Sequence, residues 1–217
     1  MDRIAAPENI IKINSETEQN TALEKAREVL LSGGIVACPT ESFYGLAVDI
    51  KNEKAIEKLF SLKKREKGKP ILILLPDILS LEKYVTDIPE KALMLIKKFW
   101  PGGLTMLFNA APEVSALLTA GTGKIGARYS SHPLVTALAK TISSPVTGTS
   151  SNISGQPPCI SANEVFDYFG TDVDLILDNG HTNGGSGSTV LDITVDPCVV
   201  LREGMISGED IKKILYR

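Results

Sequence analysis

The sequence predicts an α/β fold in which one mixed β-sheet is covered by helices. Three observations carry this. Short apolar runs alternate with stretches of helical periodicity along the chain. Some runs follow one another with only a turn between them, as residues 35–38 and 43–48 do, which adds direct strand-to-strand steps to the plan. No linker, repeat or low-complexity tract divides the 217 residues, so residues 1–217 are expected to form a single domain.

Thr21-x-x-Glu24 has the form of a capping box, and Leu23, Ala26 and Leu30 share one face before the stop at Gly33-Gly34. These features predict a first helix. Residues 35–38 (Ile-Val-Ala-Cys) predict a short buried strand broken by Pro39, and residues 43–48 a second extended stretch. Ala55, Ile56, Leu59 and Phe60 predict a helix that runs into a basic stretch and then the strand 71–75. A third helix is predicted over about 89–99, with Leu93, Ile96 and Trp100 toward the core. Pro101-Gly102-Gly103 ends it, and 104–108 resumes as strand. Further strands are predicted at 125–129, 146–149, 175–178, 189–193 and 199–202. Helices are predicted at 133–141, at 165–169 after Ser161-x-x-Glu164, and briefly after Ser207.

Hydrophobic residues make up 43% of the chain and charged ones 23%, the balance of a protein with a real core. Lys plus Arg is 23 against 26 for Asp plus Glu, a net charge of −3, which disfavours bulk attraction to nucleic acid or anionic membrane. Cys38, Cys159 and Cys198 are far apart and unpaired in pattern, and only His132 and His181 would assist them at a metal. Neither a disulfide framework nor a zinc site is expected. The first fourteen residues lack a signal-peptide core, and the longest aliphatic run, 71–75, stops at Pro76. No membrane span is expected, and a reducing, cytoplasmic location is.

Three segments have the composition of ligand sites. Lys63, Lys64, Arg65, Lys67 and Lys69 set five cations against Glu66 within seven residues. A guanidinium suits bidentate phosphate contact and an ammonium adds a mobile charge, although a solvated loop fits the same composition. Residues 147–155 (Thr-Gly-Thr-Ser-Ser-Asn-Ile-Ser-Gly) offer six hydroxyl or amide side chains able to grip phosphate or ribose oxygens, or simply a turn. Residues 179–189 carry four glycines without a phosphate-loop signature, and pattern alone favours a flexible loop there. Nucleophile-and-base chemistry finds little support: Cys38 lies in an apolar strand, and His132 precedes Pro133 as a helix-entry residue. Positive and neutral donors predominate, the inventory of a site that aligns anionic reactants.

Seven pieces in register resemble the YrdC-like family of threonylcarbamoyl-AMP synthases, in its single-domain form. They are residues 33–46 (Gly-Gly-Ile-Val-Ala-Cys-Pro-Thr-Glu-Ser-Phe-Tyr-Gly-Leu), Lys63-x-Arg65, 100–105 (Trp-Pro-Gly-Gly-Leu-Thr), Gly126-Ala127-Arg128, Ser150-x-Asn152-Ile153-Ser154-Gly155, 187–192 (Gly-Ser-Thr-Val-Leu-Asp) and Leu201-Arg202-Glu203-Gly204. They span about residues 20–208. The resemblance implies a twisted mixed sheet with helices on both faces, YrdC/RibB-like, around a concave, positively charged cavity. It implies a nucleotidyltransferase that joins L-threonine, bicarbonate (or CO2) and ATP with Mg²⁺, releasing pyrophosphate. A partner complex then moves the threonylcarbamoyl group to a tRNA adenosine. Direct tRNA or double-stranded RNA binding is a further suggestion for this fold, as is carbamoyl-transfer chemistry in a paralogue.

By the same resemblance Lys63, Arg65, Ser150 and Asn152 form the catalytic set. Lys63, Arg65, Lys69, Lys124, Asn152 and Arg202 are implied ATP contacts, and Ser42, Arg128, Ser150 and Ser188 threonine contacts. No protein-held metal is implied. Glu66, Ser42, Ser151, Lys124 and Leu74 depart from the commoner family residues, which bears on affinity and amino-acid selectivity more than on reaction type.

Overall fold

The computed structural model describes residues 7–66 and 68–216, so Lys67 of the basic stretch and the first six residues lie outside it. In chain order the elements are β1 (Ile10–Lys12), α1 (Glu16–Leu31), β2 (Val36–Pro39), β3 (Tyr44–Ala47), α2 (Glu53–Leu62), β4 (Leu72–Leu74), α3 (Glu90–Phe99) and β5 (Leu104–Asn109). They continue with α4 (Ala116–Thr119), β6 (Lys124–Arg128), α5 (Pro133–Thr141), β7 (Val146–Ser150), α6 (Ala162–Phe169), β8 (Leu175–Asp178), β9 (Thr189–Asp192), β10 (Val199–Arg202) and α7 (Gly208–Leu215). The strands form one sheet in the order β1-β8-β2-β3-β7-β4-β6-β5-β9-β10. Parallel pairs (β1/β8, β2/β8, β4/β6, β5/β9) are interspersed with antiparallel ones (β2/β3, β3/β7, β4/β7, β5/β6, β9/β10), the mixed pattern predicted. No helix among the described residues is long and apolar enough to cross a membrane.

Strand β1 and helix α4 are additions to the predicted elements, and two predicted helices differ in detail. The first helix starts at Glu16, where the Ser15 side chain accepts from the Glu18 amide; Thr21 instead bonds its hydroxyl back to the Thr17 carbonyl at 3.2 Å. On α3 the core face is Ala92, Leu95 and Ile96, with Trp100 following, whereas Leu93 is 53% exposed. The unbroken run from Ala92 to Ile96 hides the helical phase from the sequence.

The two faces of the sheet are covered unequally, and that asymmetry makes the site. On one face α2, α3 and α6 bury Ile56, Leu59, Leu95, Ile96 and Val165 against Ile73, Met106, Phe108 and Ala127. On the other, α1 and α5 bury Leu23, Leu30, Leu134 and Leu138 against Val36, Cys38, Val146 and Leu177, which belong to β2, β7 and β8. The same face of β4, β6, β5 and β9 is left open. Side chains alternate along a strand, so the open face receives Leu72 and Leu74, Gly126 and Arg128, Thr105 and Leu107, and Val190.

Candidate active site

The open half-face is the floor of a cavity of about 620 Å³, large enough for a small nucleotide and an amino acid together. Its depth depends on glycine. A Cβ on Gly148 would press on Leu72 Cδ1 and lie 2.8 Å from Leu74 Cγ, and one on Gly126 would lie 3.1 Å from Leu72 Cβ. The leucines therefore lie flat across the sheet where side chains would otherwise stand.

Of the residues singled out in the sequence, Ser42, Arg65, Lys69, Arg128, Ser150, Ser188 and Arg202 line this cavity. Arg128 is the most enclosed of the charged ones, at 6% exposure. Its Nη1 donates to Glu41 Oε1 at 3.1 Å, and Glu41 Oε2 accepts from the Ser130 hydroxyl at 2.6 Å. Burial lowers the Arg128 pKa, Glu41 opposes that shift, and Arg202 adds to it. The Arg128 Nε is buried without a hydrogen-bond partner, an anion-seeking donor left over in the protein's own network. Arg202 holds the Ser188 carbonyl through Nε (3.1 Å) and Nη2 (2.7 Å), and Ser188 and Thr105 share a hydroxyl hydrogen bond at 2.9 Å.

On the opposite rim Arg65 leans on the carbonyls of Lys69 (3.2 Å) and Pro70 (2.8 Å). Lys69 makes an exposed pair with Glu66 at 3.3 Å, which contributes little to stability. Among the described lining residues Glu203 is the only carboxylate, and its Oε1 accepts from the Gly208 amide at the start of α7.

Three other residues are placed elsewhere. The Lys63 side chain runs inward from the end of α2, 2% exposed, and its Nζ donates to the carbonyls of Ser150 and Asn152. Burial, reinforced by Arg65, brings its pKa down to about 8. Asn152 turns its amide to the carbonyls of Ile153 (3.0 Å) and Gln156 (2.6 Å), while its Oδ1 accepts from the Ser150 hydroxyl. Lys124 pairs with Asp192 at 2.7 Å, on the cavity's face of the sheet but beyond its lining.

Sequence reasoning passed over Glu41 and Thr105, although both stand inside the quoted motifs; a buried arginine's need for an anion was the available signal for Glu41. It also read 179–189 as a flexible loop. The Gly184 amide donates to the Ser42 carbonyl at 2.8 Å, and Ser186–Ser188 complete the wall. Leu74, one of the departures, lies beside Arg128 in the β4/β6 register.

Ser151, another departure, is fully buried and its hydroxyl has no partner. Ser151→Ala is therefore expected to raise stability by about 1 kcal/mol, a Tm gain of roughly 3 °C by differential scanning calorimetry. A loss of that size would mean the hydroxyl is satisfied in solution.

A sequence profile of the Sua5/YciO/YrdC family, described as telomere recombination, matches residues 28–204. The chain is 34% identical over 206 residues to a threonylcarbamoyl-AMP synthase of Pyrococcus abyssi, an alignment covering 95% of this chain and 60% of that protein. It is 35% identical over 185 residues to the enzyme of that name from Photobacterium profundum, covering 84% and 98%. The crystal structure of P. abyssi Sua5 complexed with L-threonine superposes with a TM-score of 0.91 at 34% identity, over 95% of this chain and 61% of that one. The chain thus spans about three-fifths of its Pyrococcus relative. A mixed sheet with one half-open face, bearing the seven motifs in order around a single cavity and matched by the family profile from residue 28 to 204, places the chain in the Sua5/YciO/YrdC family.

Proposed function

We propose that the cavity makes threonylcarbamoyl-AMP and pyrophosphate from L-threonine, bicarbonate or CO2, and ATP, as a nucleotidyl transfer. The observation that carries this reading is the pairing of two unlike anion sites in one cavity. Arg128, an enclosed cation lining the cavity, suits a carboxylate, and Ser42 and Ser188 line the same cavity. Arg65 and Lys69 on one rim, with Arg202 across the cavity, offer the positive charge that a triphosphate requires. The synthase relatives and the threonine-bound Sua5 structure support the same reading.

With the threonine carboxylate on Arg128, the amine nitrogen attacks the carbon of bicarbonate or CO2. A carbamate forms, with release of water from bicarbonate or a proton from CO2. A carbamate oxygen then attacks the α-phosphorus, the bond to the bridging oxygen breaks, and pyrophosphate leaves with that electron pair. The arginines and Lys69 hold the two anionic reactants together and spread the charge that builds on the phosphoryl oxygens. Mg²⁺ would arrive as part of its ATP complex, where it would neutralise phosphate charge. The product is a reactive mixed anhydride, suited to donating its threonylcarbamoyl group to a tRNA adenosine through a partner complex.

Pyrophosphate release from ATP·Mg²⁺, with threonine and bicarbonate each supplied or withheld, tests the proposal. Release is expected only when both are present. Equal release without threonine would reduce the activity to ATP hydrolysis, and no release in any combination would overturn the synthase reading.

A further inference from the structure

We propose that Lys63 is a positioning residue whose ammonium ties the segment bearing Arg65 to the loop bearing Ser150, setting the two halves of the cavity relative to each other. The inference rests on the synthase reading for its consequence, though not for its geometry. Lys63 sits at the C-cap of α2, where its amide donates to the Leu59 carbonyl. The next residue, Lys64, takes a left-handed conformation (φ 48°). The chain reverses there, so the Lys63 side chain enters the protein while Arg65, two residues on, emerges into the cavity. A two-residue spacing on an extended strand would put both on one side; this turn puts them on opposite sides.

Inside, Nζ bonds the carbonyls of Ser150 and Asn152, and the intervening Ser151 carbonyl accepts from the Cys159 thiol at 2.6 Å. The loop answers in kind, since the Ser154 amide donates to the Lys63 carbonyl at 3.0 Å. Three successive carbonyls thus turn inward, while Ser150, its hydroxyl donating to Asn152 Oδ1, lines the cavity. With three donors on one nitrogen, an ammonium can hold two such carbonyls at once from one point. Burial that favours its neutral form, bringing the pKa to about 8, reflects how completely it is withdrawn from water. A side chain in this position acts on the phosphate side through Arg65 and on the threonine side through Ser150, without touching either reactant.

Comparison of wild type with K63M and K63R tests this. Without substrates, hydrogen exchange of amides 150–156 is expected to accelerate by about tenfold or more in K63M, with β2 and β4 unchanged, and to recover partly in K63R. In pyrophosphate release, K63M is expected to raise KM for ATP and for threonine by similar factors. Unchanged loop exchange overturns the proposal, and so does a rise in KM confined to ATP, the mark of a direct phosphate ligand. If wild type releases no pyrophosphate, the synthase reading fails while the exchange comparison still decides whether the tie exists. If K63M does not fold, the NMR resonance of Lys63 Nζ in wild type, identified by its loss in K63R, replaces it. No shift on adding ATP·Mg²⁺ supports the positioning role, and a shift overturns it.

Discussion

Glu41→Ala is expected to destabilise the protein by about 3–5 kcal/mol, the cost of leaving a buried guanidinium without its anion. In the intact site the Glu41 and Arg128 side chains are 9% and 7% exposed, and Glu41 also accepts from Ser130. Removing the carboxylate strands Arg128 with an already unpartnered Nε, and calorimetry should show Tm falling by roughly 10 °C. Threonine should then raise the Tm of the variant more than that of wild type, because its carboxylate replaces the missing charge, and a ligand that binds only the folded state stabilises it. A variant that melts low and gains nothing from threonine would confine the pair to structure and take Arg128 out of the amino-acid site.

Arg65→Ala is expected to do the reverse, cutting pyrophosphate release by about 100-fold or more while Tm stays within about 2 °C of wild type. The side chain is half-buried at the rim, and the carbonyls it meets, those of Lys69 and Pro70, lie at the mouth, where water can replace it. Burial lowers its pKa, yet an arginine stays charged at any pH where the reaction would be run. The lost rate thus reports removed charge and placement. A large fall in Tm with proportionate loss of activity would make Arg65 a structural residue.

Most elements could be read from the chain because their signals are local. Ser161 does cap α6, the His132 side chain does cap α5 through its Nδ1, and Gly33-Gly34 does follow the first helix. Misreadings arose where the deciding partner is distant. The polar opening turn of α1 contributes no buried residue before Ala22, so a pattern built on apolar spacing began at Thr21. β1 is three residues long and exists through its parallel pairing with β8, more than 160 residues away. In the site, the family resemblance pointed to seven of the residues that line the cavity but not to the direction of each side chain. Lys63 and Arg65 are separated by a backbone turn at Lys64, and Lys124 by its pairing with Asp192.

The leucine-paved floor also constrains how the site can change by mutation. Adding even a methyl at Gly148 drives it into both Leu72 and Leu74, so only shrinking both leucines first opens room for it. The order of steps therefore matters: a lineage refitting this cavity to a bulkier or differently shaped ligand must lose bulk on β4 before it gains any on β7, while an exposed rim position such as Leu201 remains free to vary on its own.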